Sequence, residues 1–160
     1  LKDCEFYFRR FPFRGLPVTK YDHLKNICGM YYSRFFEFRS LLKNYLNAMK
    51  QLEVGLDFNI GKVIESYDKL FDSELRQRNS VHHHARYDDL AIDRVVLTGL
   101  LSVDDYFKNM ERLHRAHYRK EAQTWAKRVR TAGNGIDAVL EGIAELTLRN
   151  CQFLKARLAQ

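Results

Sequence analysis

The residues most capable of chemistry lie near the middle of the chain, where Arg78, Asn79, His82 and His83 fall within the segment RNSVHH. Upstream of that segment, apolar side chains recur at helical spacing: Ile60, Val63, Ile64, Tyr67, Leu70 and Phe71. The next turns of the same face carry polar groups: Glu74, Arg78 and His82. Because a charge on a core-facing stripe needs a partner or a function, we expect the chemistry of the protein at residues 74–89.

The composition is that of one soluble domain. The chain has 160 residues, of which 46% are hydrophobic, and it contains no run of about eighteen apolar residues that could cross a membrane. Charged residues interrupt the first ten positions, so no secretory segment is expected there. Three cysteines, without a C-x-x-C pair, argue against a disulfide framework and a zinc-cysteine site. We therefore expect a cytoplasmic protein with no membrane partner.

The charge balance favours a polyanionic partner. The net charge is +7 and the isoelectric point is near 9.4, which favours nucleic acid over acidic proteins or neutral small molecules. Part of this charge forms a stripe on a predicted helix, at Lys108, Arg112, Arg115 and Arg119. Such a stripe suits the phosphate backbone of RNA, although it is also the ordinary solvated side of an amphipathic helix.

The expected fold is all-α, an antiparallel helical bundle of about five helices with an extended N-terminal arm. Both prolines lie within residues 1–20, which we interpret as the arm, with a short strand at Glu5–Arg9. Residues 21–160 form the single helical-bundle domain. Its first helix carries a heptad-like seam: Leu24, Cys28, Tyr31, Phe35, Phe38, Leu42, Tyr45, Met49 and Leu52.

Capping signals divide the rest of the domain into helices. The expected caps are Asp57, then Ser102 with Asp105, then Asn134 with Asp137 after Gly133. These caps and the apolar pattern predict helices at about 58–82, 90–101, 102–131 and 134 onward.

The central segment resembles a known family motif. R-N-x-x-x-H near the end of an amphipathic helix, in an all-helical chain of this length, is similar to the HEPN superfamily of small helical bundles, many of which are ribonucleases. The match covers Arg78, Asn79 and His83, with Glu74 as weaker support. The resemblance implies metal-independent RNA cleavage in a composite site where two protomers pair. It also implies a defence or toxin role, with a possible antitoxin or other partner protein.

The residue types suit that reaction. Attack by the ribose 2′-hydroxyl needs an acid or base near neutral pKa, as His83, and a fixed cation for the phosphorane charge, as Arg78. Asn79 could orient the phosphate or the imidazole, and Glu74 could hold the guanidinium. In a regular helix His82 lies about 40° from Arg78 and His83 about 140° away, so local geometry favours His82. The family spacing favours His83, which we expect to act as the acid or base, with His82 packing or orienting.

A different interpretation makes the same residues structural. Arg78 and Glu74 could form an ion pair that only stabilises the bundle. The chain would then be a non-catalytic helical module that binds RNA or a protein partner through its basic and aromatic surfaces.

A metal-dependent bundle enzyme is the third interpretation. Glu111 and His114 form an E-x-x-H pair, but a di-iron site needs a second such pair, and the sequence has none. The consecutive histidines 82–84 point about 100° apart on a helix and cannot jointly chelate one ion. We therefore expect no metal and no cofactor, and we expect His114 and His117 to be partly buried with hydrogen-bonded partners.

Overall fold

The computed structural model describes residues 1–13, 15–52, 58–83, 89–102 and 109–151. These residues form six helices and no strand, which confirms the all-α bundle. The helices are α1 (Lys2–Arg9), α2 (Lys20–Leu52), α3 (Ile60–Leu70), α4 (Asp72–His83), α5 (Leu90–Leu101) and α6 (Met110–Asn150). Among the described helices, none is long and apolar enough to span a bilayer.

Two long helices, α2 and α6, run parallel through the bundle. Residue numbers increase in the same direction along both helices at their contacts: Lys20 with Tyr118, Tyr31 with Trp125, and Tyr45 with Thr147. Neighbouring segments run antiparallel, as expected for the bundle. Arg39 of α2 contacts Asp68 of α3, and Tyr31 contacts Glu74 of α4. The third and fourth helices therefore pass back along α2 and carry the 74–83 segment towards its N-terminal half.

Aromatic side chains form the centre of the core. The Trp125 ring of α6 stacks on Phe8 and meets Tyr31 and Tyr32 edge to face. Tyr31 and Phe35 of the heptad-like seam of α2 are fully buried, as expected, whereas the last parts of the seam include two exposed residues, Tyr45 and Leu52. Aromatic pairs in these geometries add to the free energy gained by burying their area. The core thus fixes α2 against α6 at the level of residue 125.

The expectation of a strand in the N-terminal arm is wrong. Residues 2–9 form α1, whose side chains Cys4 and Phe8 are both buried and lie one helical turn apart against α6. A single i, i+4 pair is too short a pattern to distinguish from an irregular segment, and only Trp125 of α6 gives Phe8 its stacking partner. The described residues between α1 and α2, which include both prolines, lie outside helices.

The helix expected from about residue 58 to 82 is divided. Asn59 caps α3 by accepting a hydrogen bond from the Lys62 amide at 3.1 Å, whereas the expected cap, Asp57, lies outside the described residues. At Phe71 the backbone leaves helical geometry, with φ −115° and ψ 27°, and α4 begins at the next residue. At this position the buried Phe71 ring packs against Phe35 and Tyr67.

The expected break at Gly133 is also wrong. The last helix continues without interruption from Met110 to Asn150, and the only described glycine with positive φ is Gly15. A Cβ on Gly135 would lie 3.2 Å from the Phe71 ring, so the glycine permits close packing. Ser102 closes α5 instead of opening a helix, since its hydroxyl donates to the Gly99 carbonyl at 2.7 Å. Its expected partner Asp105 lies outside the described residues.

Candidate functional site

The fourth helix carries the RNSVHH segment. Its helical backbone continues through His83. The structure describes the side chains of Glu74 and Arg78 and only the backbone of residues 79–83. The roles of Asn79, His82 and His83 therefore stay predictions. Residues 84–88, the rest of the segment expected to hold the chemistry, lie outside the described residues.

Glu74 has a different partner from the expected one. Its Oε1 atom accepts hydrogen bonds from Arg128 Nη2 at 3.1 Å and Nε at 3.3 Å, and from the Tyr31 hydroxyl at 3.2 Å. The expectation that Glu74 holds the Arg78 guanidinium is therefore wrong. Helical spacing pointed to Arg78, one turn away, but α6 brings Arg128 from 54 positions along the chain.

Aromatic faces surround the Arg128 guanidinium. It lies 5.0 Å from the Trp125 ring centroid, 5.4 Å from that of Tyr32 and 5.7 Å from that of Tyr31. Burial opposes the charge, but Tyr32 and the hydrogen bond to Glu74 raise the pKa of Arg128 overall. Burial and the nearby Glu74 carboxylate raise the pKa of the Tyr31 hydroxyl, which stays protonated and donates. This cluster attaches α4 to the centre of the core.

Arg78 uses little of its hydrogen-bonding capacity within the described residues. Its guanidinium carbon lies 3.9 Å from the centroid of the half-exposed Phe36 ring. Its Nε atom is buried and has no hydrogen-bond partner among the described residues. A guanidinium has five N–H donors in a planar fork that matches phosphate and carboxylate oxygens. Arg78 therefore presents a positioned cation that Glu74 does not neutralise.

The E-x-x-H pair of α6 is split between two environments. Glu111 forms an ion pair with Arg115 on the exposed surface, while His114 turns towards α5. The His114 Nδ1 atom lies 3.0 Å from the Val95 carbonyl and must donate, since a carbonyl only accepts. Burial and the nearby Lys20 lower the pKa of His114 and favour the neutral ring. Within the described residues, no three His, Cys, Asp or Glu side chains are arranged to hold a metal ion.

The expectation for the two histidines of α6 is met for one of them. His114 is partly buried and hydrogen-bonded, as expected. His117 is partly buried, but its Nδ1 atom is buried without a hydrogen-bond partner among the described residues.

The basic stripe of α6 lies on the surface. Arg112, Arg115 and Arg119 are all exposed, and Lys108 lies outside the described residues. Lys20 of α2 joins this group: burial lowers its pKa, and the neighbouring charges of Arg115 and Arg119 lower it further. The sequence pattern had no means of including Lys20, because it begins a different helix.

Two side chains of this region, Arg128 and Lys20, were not predicted from the sequence. Arg128 follows Trp125 by one turn on α6, and that spacing with an aromatic residue is the only local signal for its role. Lys20 has no local signal at all.

Comparisons of the chain with protein-family models, with curated proteins and with solved structures found no match.

Proposed function

We propose that the chain is a metal-independent endoribonuclease of the HEPN type, acting as a homodimer in a defence or toxin system. The residues proposed for catalysis are Arg78, Asn79 and His83, with His82 in support. The proposal rests on the R-N-x-x-x-H spacing and on the basic surface of α6, of which Arg112 and Arg119 are exposed cations.

The observation that supports this proposal most is that Glu74 is paired with Arg128 and not with Arg78. A structural ion pair between Glu74 and Arg78 was the main alternative to catalysis. Since Arg128 occupies the carboxylate, Arg78 is left with a buried Nε atom that has no partner among the described residues. Buried donors without partners are rare in proteins. The guanidinium carries further N–H donors in a planar fork that matches phosphate oxygens.

Each proposed residue has a defined step. His83, as the neutral imidazole, takes the proton of the ribose 2′-hydroxyl while the 2′-oxygen attacks the adjacent phosphorus. The bond from phosphorus to the 5′-oxygen then breaks, and a protonated imidazole supplies the proton to that oxygen. The products are a 2′,3′-cyclic phosphate and a 5′-hydroxyl. Arg78 stabilises the charge that develops on the non-bridging oxygens, and Asn79 orients the phosphate.

The test is RNA cleavage by the purified protein in excess chelator. We expect cleavage by the wild type and a loss of about a hundredfold in Arg78→Ala, the scale for removing one charge-stabilising donor. The melting temperature should barely change, because stacking on a half-exposed ring contributes only about 0.5–1 kcal/mol. The matched control is Arg76→Ala, which removes an exposed arginine of the same helix. Absence of cleavage by the wild type, or equal loss in both variants, would contradict the proposal.

The exposed cations of α6 support a second candidate, a module that binds RNA without cleaving it. Arg112 and Arg119 are exposed, and the charge of Arg119 acts on the nearby Lys20. In that case the wild type binds RNA with strong salt dependence, produces no 2′,3′-cyclic phosphate, and Arg78→Ala binds as the wild type does.

A further inference from the structure

The Arg78 guanidinium of α4 lies over the ring of Phe36 on α2. Its central carbon is 3.9 Å from the ring centroid, the shortest distance between a cation and a ring among the described residues. At this separation the two groups are in van der Waals contact, as when an arginine packs on an aromatic face. The Phe36 ring is 40% exposed, so the pair lies at the surface of the bundle and not in its core.

Both helices that carry this pair are fixed in the bundle. Phe36 follows Phe35 on α2, and the ring of Phe35 is fully buried against Phe71. The helix that carries Arg78 is attached to the core through Glu74. Side chains on rigid helices are placed more precisely than side chains on loops. The backbone positions under the ring and under the guanidinium are therefore both set by the core.

Arg78 is oriented in a different way from Arg39, an arginine that joins α2 to α3. Arg39 donates to both carboxylate oxygens of Asp68, at 2.6 and 2.7 Å. Arg78 has no hydrogen bond or ion pair among the described residues, and its Nε atom is buried without a partner there. A carboxylate occupies the N–H donors of an arginine and neutralises its charge, whereas an aromatic face does neither. Phe36 thus orients Arg78 and leaves its N–H fork to an incoming phosphate.

We propose that Phe36 is a positioning residue for Arg78: its ring holds the guanidinium in the orientation from which it binds the scissile phosphate. This inference rests on the proposed function, in which Arg78 stabilises the charge of the phosphorane. Such stabilisation requires a donor that is oriented before the reaction, and an arginine side chain has several rotatable bonds to fix. Because Glu74 pairs elsewhere, the ring supplies the contact that fixes them within the described part of the chain.

The first test compares RNA cleavage by Phe36→Leu and Phe36→Tyr. Leucine keeps the apolar bulk but lacks the aromatic face, so kcat should fall about tenfold, with KM nearly unchanged, as expected when a partly desolvated contact no longer holds the cation. Tyrosine restores the face and should restore kcat to within about twofold of the wild type.

The matched control is Phe6→Leu on α1. Phe6 is also a half-exposed ring beneath an arginine, with its centroid 4.9 Å from the guanidinium carbon of Arg10. The substitution removes a comparable contact on a different helix and should leave kcat unchanged. Wild-type activity in Phe36→Leu, or an equal loss in Phe6→Leu, would overturn the proposal.

A double-mutant cycle tests whether Phe36 acts through Arg78. In an Arg78→Ala background, Phe36→Leu should cause no further loss of cleavage, because the ring has no guanidinium left to hold. A second loss of about tenfold in that background would overturn the positioning role, since additive losses belong to residues that act independently.

NMR spectroscopy supplies a measurement that needs no cleavage. The ring current of an aromatic face shifts a proton above it upfield, so the Arg78 Nε–H signal should lie upfield in the wild type and in Phe36→Tyr. Arg78→Lys identifies this signal by its loss. In Phe36→Leu the signal should move back to the ordinary range, and an unmoved signal would overturn the proposal.

Failure of the proposed function and failure of this inference give different results. A wild type that does not cleave RNA refutes the ribonuclease and the positioning role with it. Cleavage that depends on Arg78 but not on Phe36 refutes the positioning role alone.

Discussion

Arg128 of α6 donates two hydrogen bonds to one carboxylate oxygen of Glu74 on α4, at 3.1 Å from Nη2 and 3.3 Å from Nε. The Tyr31 hydroxyl donates to the same oxygen. Glu74 is well buried, with only 13% of its side chain exposed, and it lies one turn before Arg78. The Glu74–Arg128 pair therefore holds α4 in position, and with it the Arg78 guanidinium over the Phe36 ring.

We predict that Glu74→Gln lowers the free energy of unfolding by about 1.5–2 kcal/mol, the lower part of the range for a hydrogen bond to a charged group. The lower part of the range applies because 35% of the Arg128 side chain is exposed, so solvent partly screens its charge. Urea denaturation measures the change. Arg76→Ala, which breaks the exposed pair with Asp72, serves as the control and should cost about 0.5 kcal/mol or less.

A double-mutant cycle with Arg128→Met tests whether the pair itself is responsible. The coupling energy between the two positions should be clearly different from zero, since the residues are in direct contact. Additive losses would mean that Glu74 and Arg128 stabilise the bundle independently.

The unbroken course of α6 predicts different effects of alanine substitution at Gly133 and Gly135. A Cβ on Gly133 would meet no atom within 4 Å, whereas one on Gly135 would press on Phe71 at 3.2 Å. Gly133→Ala should therefore stabilise the protein by about 0.5–1 kcal/mol through helix propensity. Gly135→Ala should gain less or lose stability. Thermal unfolding compares the two, and a loss in Gly133→Ala would show that the helix breaks there.

Single alanine substitutions at the three consecutive histidines decide which imidazole acts. We expect His83→Ala to abolish most RNA cleavage, His82→Ala to reduce it, and His84→Ala to leave it unchanged. The helical backbone through His83 turns that residue about 140° from Arg78 within one protomer, so its role requires a site shared by two protomers. Full activity in His83→Ala beside loss in His82→Ala would refute the family spacing and favour local geometry.

Mixing inactive variants tests the shared site directly. If Arg78 of one protomer acts with His83 of the other, mixing Arg78→Ala with His83→Ala protein should restore about a quarter of the wild-type cleavage. Half of the dimers are then mixed, and each holds one intact site of two. Light scattering at micromolar concentration should give a dimer mass. A monomer mass, or no recovery by a mixture shown to contain mixed dimers, counts against the composite site.

Local patterns in the sequence predicted the regular elements well wherever several turns repeat the same pattern. The helix at Leu90–Leu101 was placed correctly at both ends, and the seam of α2 correctly put Tyr31 and Phe35 in the core. Burial of one helix face imposes a period of 3.6 residues, and that period is visible in the sequence without knowledge of the partner. The exposed positions of Arg112 and Arg119 follow from the same period.

Contacts between distant residues could only be known from the tertiary structure. The partner of Glu74 is Arg128 of α6, and the ring of Phe8 stacks on Trp125 of the same helix. The break expected at Gly133 does not occur, and the missing side chain of Gly135 leaves space for the Phe71 ring. Sequence spacing therefore determined which residues share a face, whereas the packing of the helices decided what each face touches and left Arg78 without its expected carboxylate.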